Sequence, residues 1–227
     1  EWYNKNLKDG YLNLRGIGPS AMLSYGRHAF GFYSSTRSII RSKGVPYEIA
    51  KLGYEDFDYD PLFNVNFINE VDMHLEVLNM AEVGLTYSNI VFARNFDKLD
   101  VGMTFKYFKP HSGMKFYTDN VDYLLPNNET LRVFDMNGQV RMALPVNYDN
   151  NNFPNNEGLF KGHGLGFDLG LVYTKTQSIQ RRYDRFTRLC RQRVYDYDYR
   201  IGVSLLDVGY VTFNRNVQVH RYEDASV

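Results

Sequence analysis

Strict alternation of apolar and polar residues is the feature that most constrains how this chain can fold. In Ala81–Ser88 the odd positions carry Ala, Val, Leu and Tyr, and the even positions carry Glu, Gly, Thr and Ser. The same period of two runs through Leu99–Phe108, Gly164–Tyr173 and Tyr197–Leu205. Because successive side chains of a β-strand point to opposite faces of the sheet, each segment predicts a strand with one apolar and one polar face.

Other segments extend this pattern. Near the N-terminus, Ala21–Tyr25 leads through a turn to a strand that carries Phe30 and Phe32 on one face. No segment has a convincing helical period, and Asn69–Met80 comes closest, as one short helix or a strand. Weaker strand candidates are Leu62–Phe67, Leu131–Ala143 and Gly209–Arg215. Short connections such as Asn95–Lys98 predict hairpins, so the chain is predicted to be all-β and antiparallel.

The polar face distinguishes a membrane barrel from a soluble sandwich. In a soluble β-sandwich, the face opposite the core meets water and carries many long charged side chains. Here that face is rich in Gly, Ser and Thr with isolated charges, which suits the limited space inside a closed barrel. The other face mixes Leu and Val with Tyr and Phe near strand ends, as at a lipid–water boundary. The pattern predicts an antiparallel transmembrane β-barrel, and a soluble β-sandwich is the alternative.

Charged residues on the predicted polar faces are the candidate lumen residues. They are Arg15, Arg37, Glu82, Asp100, Lys106, Asp168 and Arg200. Buried charges must be paired or hydrated. We therefore expect some of these side chains to form ion pairs inside the barrel, and a role in contacting a solute is the less favoured alternative.

The segment 109–162 is too long for a turn. It includes the run Asp149–Asn156, which is typical of a loop. A loop of this length without its own structure would be unusual, so we expect a long structured loop. Within it, Met114–Thr118 and Leu131–Ala143 are the candidate strands. The short connections on the opposite side would then be periplasmic, because outer-membrane barrels place their long loops outside the cell.

A second long connection, 175–196, is rich in arginine. Its six arginines are Arg181, Arg182, Arg185, Arg188, Arg191 and Arg193. One interpretation is contact with anionic lipopolysaccharide, phosphate or an acidic partner. The favoured interpretation is a solvated, extended hairpin whose charge is partly neutralised by nearby acids, namely Asp184, Asp196 and Asp198.

Composition argues against several functions. The 26 basic and 26 acidic residues cancel, so there is no overall electrostatic case for binding nucleic acid. The single cysteine, Cys190, excludes an intramolecular disulfide framework and a cysteine-cluster zinc site. The five histidines are scattered without metal-ligand spacing, and no catalytic motif or phosphate-binding loop occurs. We therefore expect a protein that is not an enzyme and holds neither cofactor nor metal.

Five blocks spread from end to end resemble outer-membrane β-barrels of Bacteroidetes. They are Arg15–Ser38, Ala81–Ser88, Lys98–Phe108, Gly162–Tyr173 and Ile201–Phe213. The resemblance is to an uncharacterised barrel family, some members of which carry a periplasmic OmpA-like peptidoglycan-binding domain. It is similar in style to the fatty-acid-transporter-like barrels of type IX secretion. About eight to ten strands are visible in the sequence, fewer than in those barrels, so we expect residues 1–227 to be one barrel domain within a longer protein.

The resemblance implies a location in the outer membrane of a Gram-negative bacterium, in contact with lipid and lipopolysaccharide. It implies a non-enzymatic structural or accessory subunit of a cell-envelope complex. The implied partners are the secretion machinery, the barrel-assembly machinery, or peptidoglycan through an appended domain. Two alternatives remain open: a transporter or pore for hydrophobic or small solutes, and a soluble or surface-tethered β-sandwich that binds glycans.

Overall fold

A computed structural model of the chain describes residues 6–55, 60–94, 96–144, 158–176 and 197–226. These residues form nine β-strands, one α-helix and one turn of 3-10 helix at Asp60–Leu62. The strands are β1 (Lys8–Tyr25), β2 (His28–Val45), β3 (Asn66–Asn69), β4 (Met73–Arg94), β5 (Asp97–Asn127), β6 (Thr130–Ala143), β7 (Gly162–Thr176), β8 (Tyr197–Phe213) and β9 (Val217–Tyr222), and the helix is α1 (Tyr47–Tyr54). The all-β prediction is confirmed.

The strands form one antiparallel sheet in which β5 is shared by two regions. Six strands lie side by side in the order β1, β2, β4, β5, β7 and β8. Beyond Phe108, β5 pairs with β6 instead of β7, and β6 pairs with β9. Within the described residues the sheet is open, because β1 and β8 each have one unpaired edge. Closure into a barrel therefore stays a prediction.

Prolines lie at three of the places where the strands change register. Pro19, Pro110 and Pro126 each lie at or beside a shift in strand pairing. Proline has no N–H to donate to a neighbouring strand, so inside a sheet it is tolerated at such bulges. A bulge also moves the apolar residues from odd to even positions or back. The alternation that begins at Leu99 breaks at Pro110, although strand β5 continues to Asn127.

This continuity corrects the expectation of a separate long loop over 109–162. Its first part is the second half of β5, and its next part is β6, so the two candidate strands Met114–Thr118 and Leu131–Ala143 lie inside elements of the main sheet. Residues 145–157 lie outside the described residues. Asn69–Met80 belongs mainly to β4 and is not a helix. The helix α1 was not expected from the sequence, because eight residues are too few to give a clear helical period.

A small apolar core lies in the region that we call the extension, which comprises α1, the 3-10 turn, β3, β6, β9 and residues 113–127 of β5. Leu52 of α1 packs there with Leu62, Tyr123 and Leu125. The six-stranded region, in contrast, exposes its apolar face. No second sheet covers that face within the part of the chain that the structure describes. The extension is therefore the only described region with an apolar cluster of buried residues.

The uncovered face carries a continuous apolar belt across all six strands. Residues directly opposite one another in an antiparallel sheet share a face, so the strand pairing defines rows. One row is Leu23, Phe30, Tyr87, Met103, Leu169 and Leu205, and the next is Ala21, Phe32, Leu85, Phe105, Phe167 and Val208. Most of these large side chains are exposed. We call this surface, from Tyr107 to Leu99 along β5 and the equivalent positions of its neighbours, the apolar belt.

Candidate functional site

The face opposite the apolar belt holds a cluster of charged side chains that we call the ion-pair layer. It consists of Arg15 from β1, Tyr33 and Arg37 from β2, Glu82 from β4, Lys106 from β5, Asp168 from β7 and Asp207 from β8. Every strand of the six-stranded region contributes to it. Its three cations and three carboxylates balance in formal charge.

Glu82 is the centre of one half of the layer and is only 1% exposed. Its Oε1 accepts hydrogen bonds from Arg15 Nη2, at 3.1 Å, and from the Tyr33 hydroxyl. Its Oε2 lies 3.0 Å from Arg37 Nη2. Arg15 also stacks over the Tyr33 ring and donates from Nε to Ser35 Oγ at 3.3 Å. Two arginines and a phenol therefore compensate the burial of this one carboxylate.

Lys106 is the centre of the other half and is 4% exposed. Its Nζ lies 2.7 Å from Asp168 Oδ2 and 2.6 Å from Asp207 Oδ1. The two halves are joined because Arg37 Nη1 lies 3.1 Å from Asp207 Oδ2. Arg37 is on β2 and Asp207 is on β8, with three strands between them in the sheet. The sheet therefore curls into a trough whose polar interior is filled at this level.

Asp207 was not among the residues singled out from the sequence, and a bulge explains why. Its backbone has a φ of 58°, a left-handed conformation that Asp tolerates better than most residues, and the pairing of β7 with β8 shifts at this point. Its N–H donates to Asp168 Oδ1 at 2.7 Å. The available signal is a change of parity along β8, since the belt-facing residues are odd up to Leu205, whereas Val208 and Tyr210 are even.

Glycines on the polar face make room for the large side chains of the layer. In the pairing, Tyr33 lies opposite Gly84, Gly84 opposite Lys106, and Lys106 opposite Gly166. A Cβ at Gly84 would overlap the Tyr33 ring. The small residues noted in the sequence therefore permit the close approach of bulky neighbours on adjacent strands.

We expect Gly84→Ala to lower the free energy of unfolding by about 1–3 kcal/mol, because the new methyl group displaces the Tyr33 ring from Glu82. Urea titration of the folded protein measures the change. Gly170→Ala is the matched control, since a Cβ there meets no atom within 4 Å. That control is expected to be neutral or stabilising by up to about 1 kcal/mol. Equal effects at both positions would contradict the packing argument.

The seven charged candidates from the sequence share the face opposite the belt, and five of them meet in the ion-pair layer. Asp100 lies outside it, nearer the β4–β5 turn, and its Oδ1 is 2.9 Å from Lys98 Nζ. Arg200 is exposed and has no ion pair with another described residue. The six arginines of the 175–196 segment, namely Arg181, Arg182, Arg185, Arg188, Arg191 and Arg193, lie outside the described residues.

The chemistry available in the layer is that of mutually neutralised charges. Each of its carboxylates faces at least one cation. Among the described residues, no group of three or more His, Cys, Asp or Glu side chains is arranged to hold a metal ion. The layer therefore holds strands together through ion pairs.

No helix in the described part of the chain is long and apolar enough to cross a membrane.

Comparison with known proteins assigns a family. Comparison with curated proteins finds no match, and comparison with solved structures finds none either. A family model described as "Family of unknown function (DUF5723)" matches residues 3–226, which is nearly the whole chain. The chain therefore belongs to this family of unknown function, DUF5723.

Proposed function

We propose that this chain forms part of the wall of an outer-membrane β-barrel and serves as a non-enzymatic structural or accessory subunit of a Bacteroidetes cell envelope. The observation that carries the proposal is the division of one curled sheet into an exposed apolar belt outside and a neutral ion-pair layer inside. Lipid acyl chains would cover the belt, and lipopolysaccharide would meet its outer rim.

The dimensions of the belt support a bilayer environment. Along β5 it runs from Leu99 to Tyr107, nine residues, and a tilted transmembrane β-strand needs about 9–11 residues. Outer-membrane barrels have an apolar band about 25 Å tall, with aromatic residues at both edges. Tyr107 and Tyr210 lie at one end of the belt, and Tyr173 and Tyr199 lie at the other. A soluble protein rarely exposes so large an apolar surface.

The length of β5 supports a division between membrane and solvent regions. Its 31 residues span roughly 100 Å, whereas a membrane strand needs about 9–11 residues. The large exposed apolar residues of β5 all lie before Lys109. Residues 113–127 of β5 lie in the extension, which would stand outside the bilayer. Because long loops of such barrels face the exterior, we place the extension at the cell surface and the Gly26–Arg27 turn in the periplasm.

The alternative of a soluble glycan-binding sandwich has less support. A sandwich buries the apolar face of one sheet against a second sheet. Within the described residues, all nine strands belong to one sheet and the belt has no covering layer. In a bilayer, the free edges of β1 and β8 would need partners, because unpaired backbone groups are costly in lipid. Further antiparallel strands completing the barrel would supply them.

Cell fractionation followed by gel electrophoresis tests the proposal. We expect full-length protein in the outer-membrane fraction, with a band whose mobility changes on boiling because a closed barrel resists detergent until heated. Copurification with larger envelope proteins would support the accessory role. Protein that is soluble without detergent and shows no heat-dependent shift would overturn the membrane assignment.

A further inference from the structure

We propose that the ion-pair layer is a seal, which closes the interior of the barrel to solutes and conceals a passage that opens when its pairs are broken. The inference deepens the proposed function and rests on it. It concerns what the polar side of the sheet does, whereas the membrane assignment depends on the opposite side.

The first support is that side chains from strands that are not neighbours meet across the trough. Arg37 of β2 reaches Asp207 of β8, and Glu82 and Lys106 project between them from β4 and β5. Although the sheet is open, the Arg37 side chain is only 7% exposed and that of Lys106 only 4%. The centre of the layer is therefore closed to water where a conducting channel would be open, and its edge members Arg15 and Asp207, 39% and 48% exposed, meet solvent.

The second support is the balance of charge inside the layer. Glu82 is bound by two arginines, and Lys106 by two aspartates. A solute or ion that passed this level would have to separate buried pairs and leave charges uncompensated, which is costly in a poorly hydrated interior. An arrangement with no surplus charge neither attracts nor guides an ion, so it suits a barrier better than a selectivity filter.

The third support is the contrast with the neighbouring level of the trough. Nearer the hairpin turns, one row of the polar face is Ala29, Ser88, Gly102, Gly170 and Ser204. All five side chains are small, so they leave space between the strands. The ion-pair layer is therefore a local constriction beside a wider section, and breaking it would join that section to the other end of the barrel.

Liposome swelling with the full-length protein tests the seal, with arabinose as the solute. We expect wild-type protein to give no uptake above that of empty liposomes. Glu82→Gln removes the charge that holds Arg15 and Arg37, and we expect it to raise the swelling rate at least several-fold. Asp207→Asn, at the more exposed end of the layer, is a milder second variant with the same expected direction.

Glu76→Gln is the matched control. Glu76 is on the same strand and face as Glu82, but it pairs with Lys115 in an exposed position of β4 beyond the layer. We expect no uptake with this variant. Swelling rates are compared only for protein that floats with the liposomes and keeps its heat-dependent gel shift. This condition prevents misfolding from being mistaken for opening of the barrel.

The outcomes separate the two proposals. Uptake by wild-type protein that floats with liposomes would overturn the seal while leaving the membrane barrel intact, and it would favour a pore. This measurement needs no variant, so it can overturn the seal even if Glu82→Gln fails to fold, and Asp207→Asn then supplies the test for leakage. Tight wild-type and leaky variants would support the seal. Protein that does not enter liposomes would overturn the membrane proposal, and the seal with it.

Discussion

Replacing Glu82 with alanine is expected to lower the free energy of unfolding by about 3–5 kcal/mol, the range typical of removing one partner from a buried ion pair. Glu82 accepts from Arg15 and Tyr33 and lies against Arg37, and it is almost completely buried. The substitution leaves Arg37 with one remaining partner, Asp207, and leaves the buried part of Arg15 without its carboxylate. The loss of stability comes mainly from these two cations, which lose the carboxylate that neutralised them.

Urea titration in detergent micelles, followed by the fraction of protein that keeps its unboiled gel mobility, measures this change. Glu76→Ala is the control on the same strand, because its pair with Lys115 is exposed on both sides. Exposed pairs contribute about 0–1 kcal/mol, so the control should be close to wild type. Similar small losses at Glu76 and Glu82 would mean that water reaches the layer and that its charges are hydrated.

Leu169→Arg is the second substitution with a large expected effect. Leu169 lies on β7 opposite Met103, midway along the belt between its two ends, and is 44% exposed. On the surface of a soluble protein, an arginine at such a position would be tolerated. At the middle of a bilayer it should cost about 2–4 kcal/mol, because the guanidinium group must leave water or distort the lipid around it.

The same urea titration, carried out in phospholipid vesicles, measures the cost. Ile68→Arg is the matched control, since Ile68 is 70% exposed but lies on β3 in the extension. We expect this control to change stability by less than about 0.5 kcal/mol. If Leu169→Arg is equally harmless, the belt does not face lipid, and the proposed membrane location fails.

Local alternation was sufficient to predict strands and faces for much of the chain. Leu99–Phe108 and Gly164–Tyr173 lie within β5 and β7, and their odd residues share the exposed apolar face. This worked because the period of two is a property of the strand itself. The glycines of the polar face were also identified from the sequence as small residues. The contact of the Tyr33 ring with Gly84 was not predicted.

Bulges limited the prediction elsewhere. A strand that changes parity, as β5 does at Pro110 and β8 does before Val208, loses its regular pattern although it continues in space. For this reason β5 was predicted to end at Phe108, and Asp207 was missed. The helix α1 is too short to give a recognisable helical period in the sequence. It is held in place by contacts of Leu52 with Tyr123 and Leu125, which are distant in the sequence.

The sequence by itself determined the strand periodicity, the antiparallel hairpins and the two chemically distinct faces, because each depends on residues close together in the chain. Only the tertiary structure decided which charges pair. Arg37 and Asp207 are 170 positions apart, and they meet because the sheet curls until β2 and β8 face one another. Curvature sums small twists and bulges over six strands, and no local pattern specifies that sum.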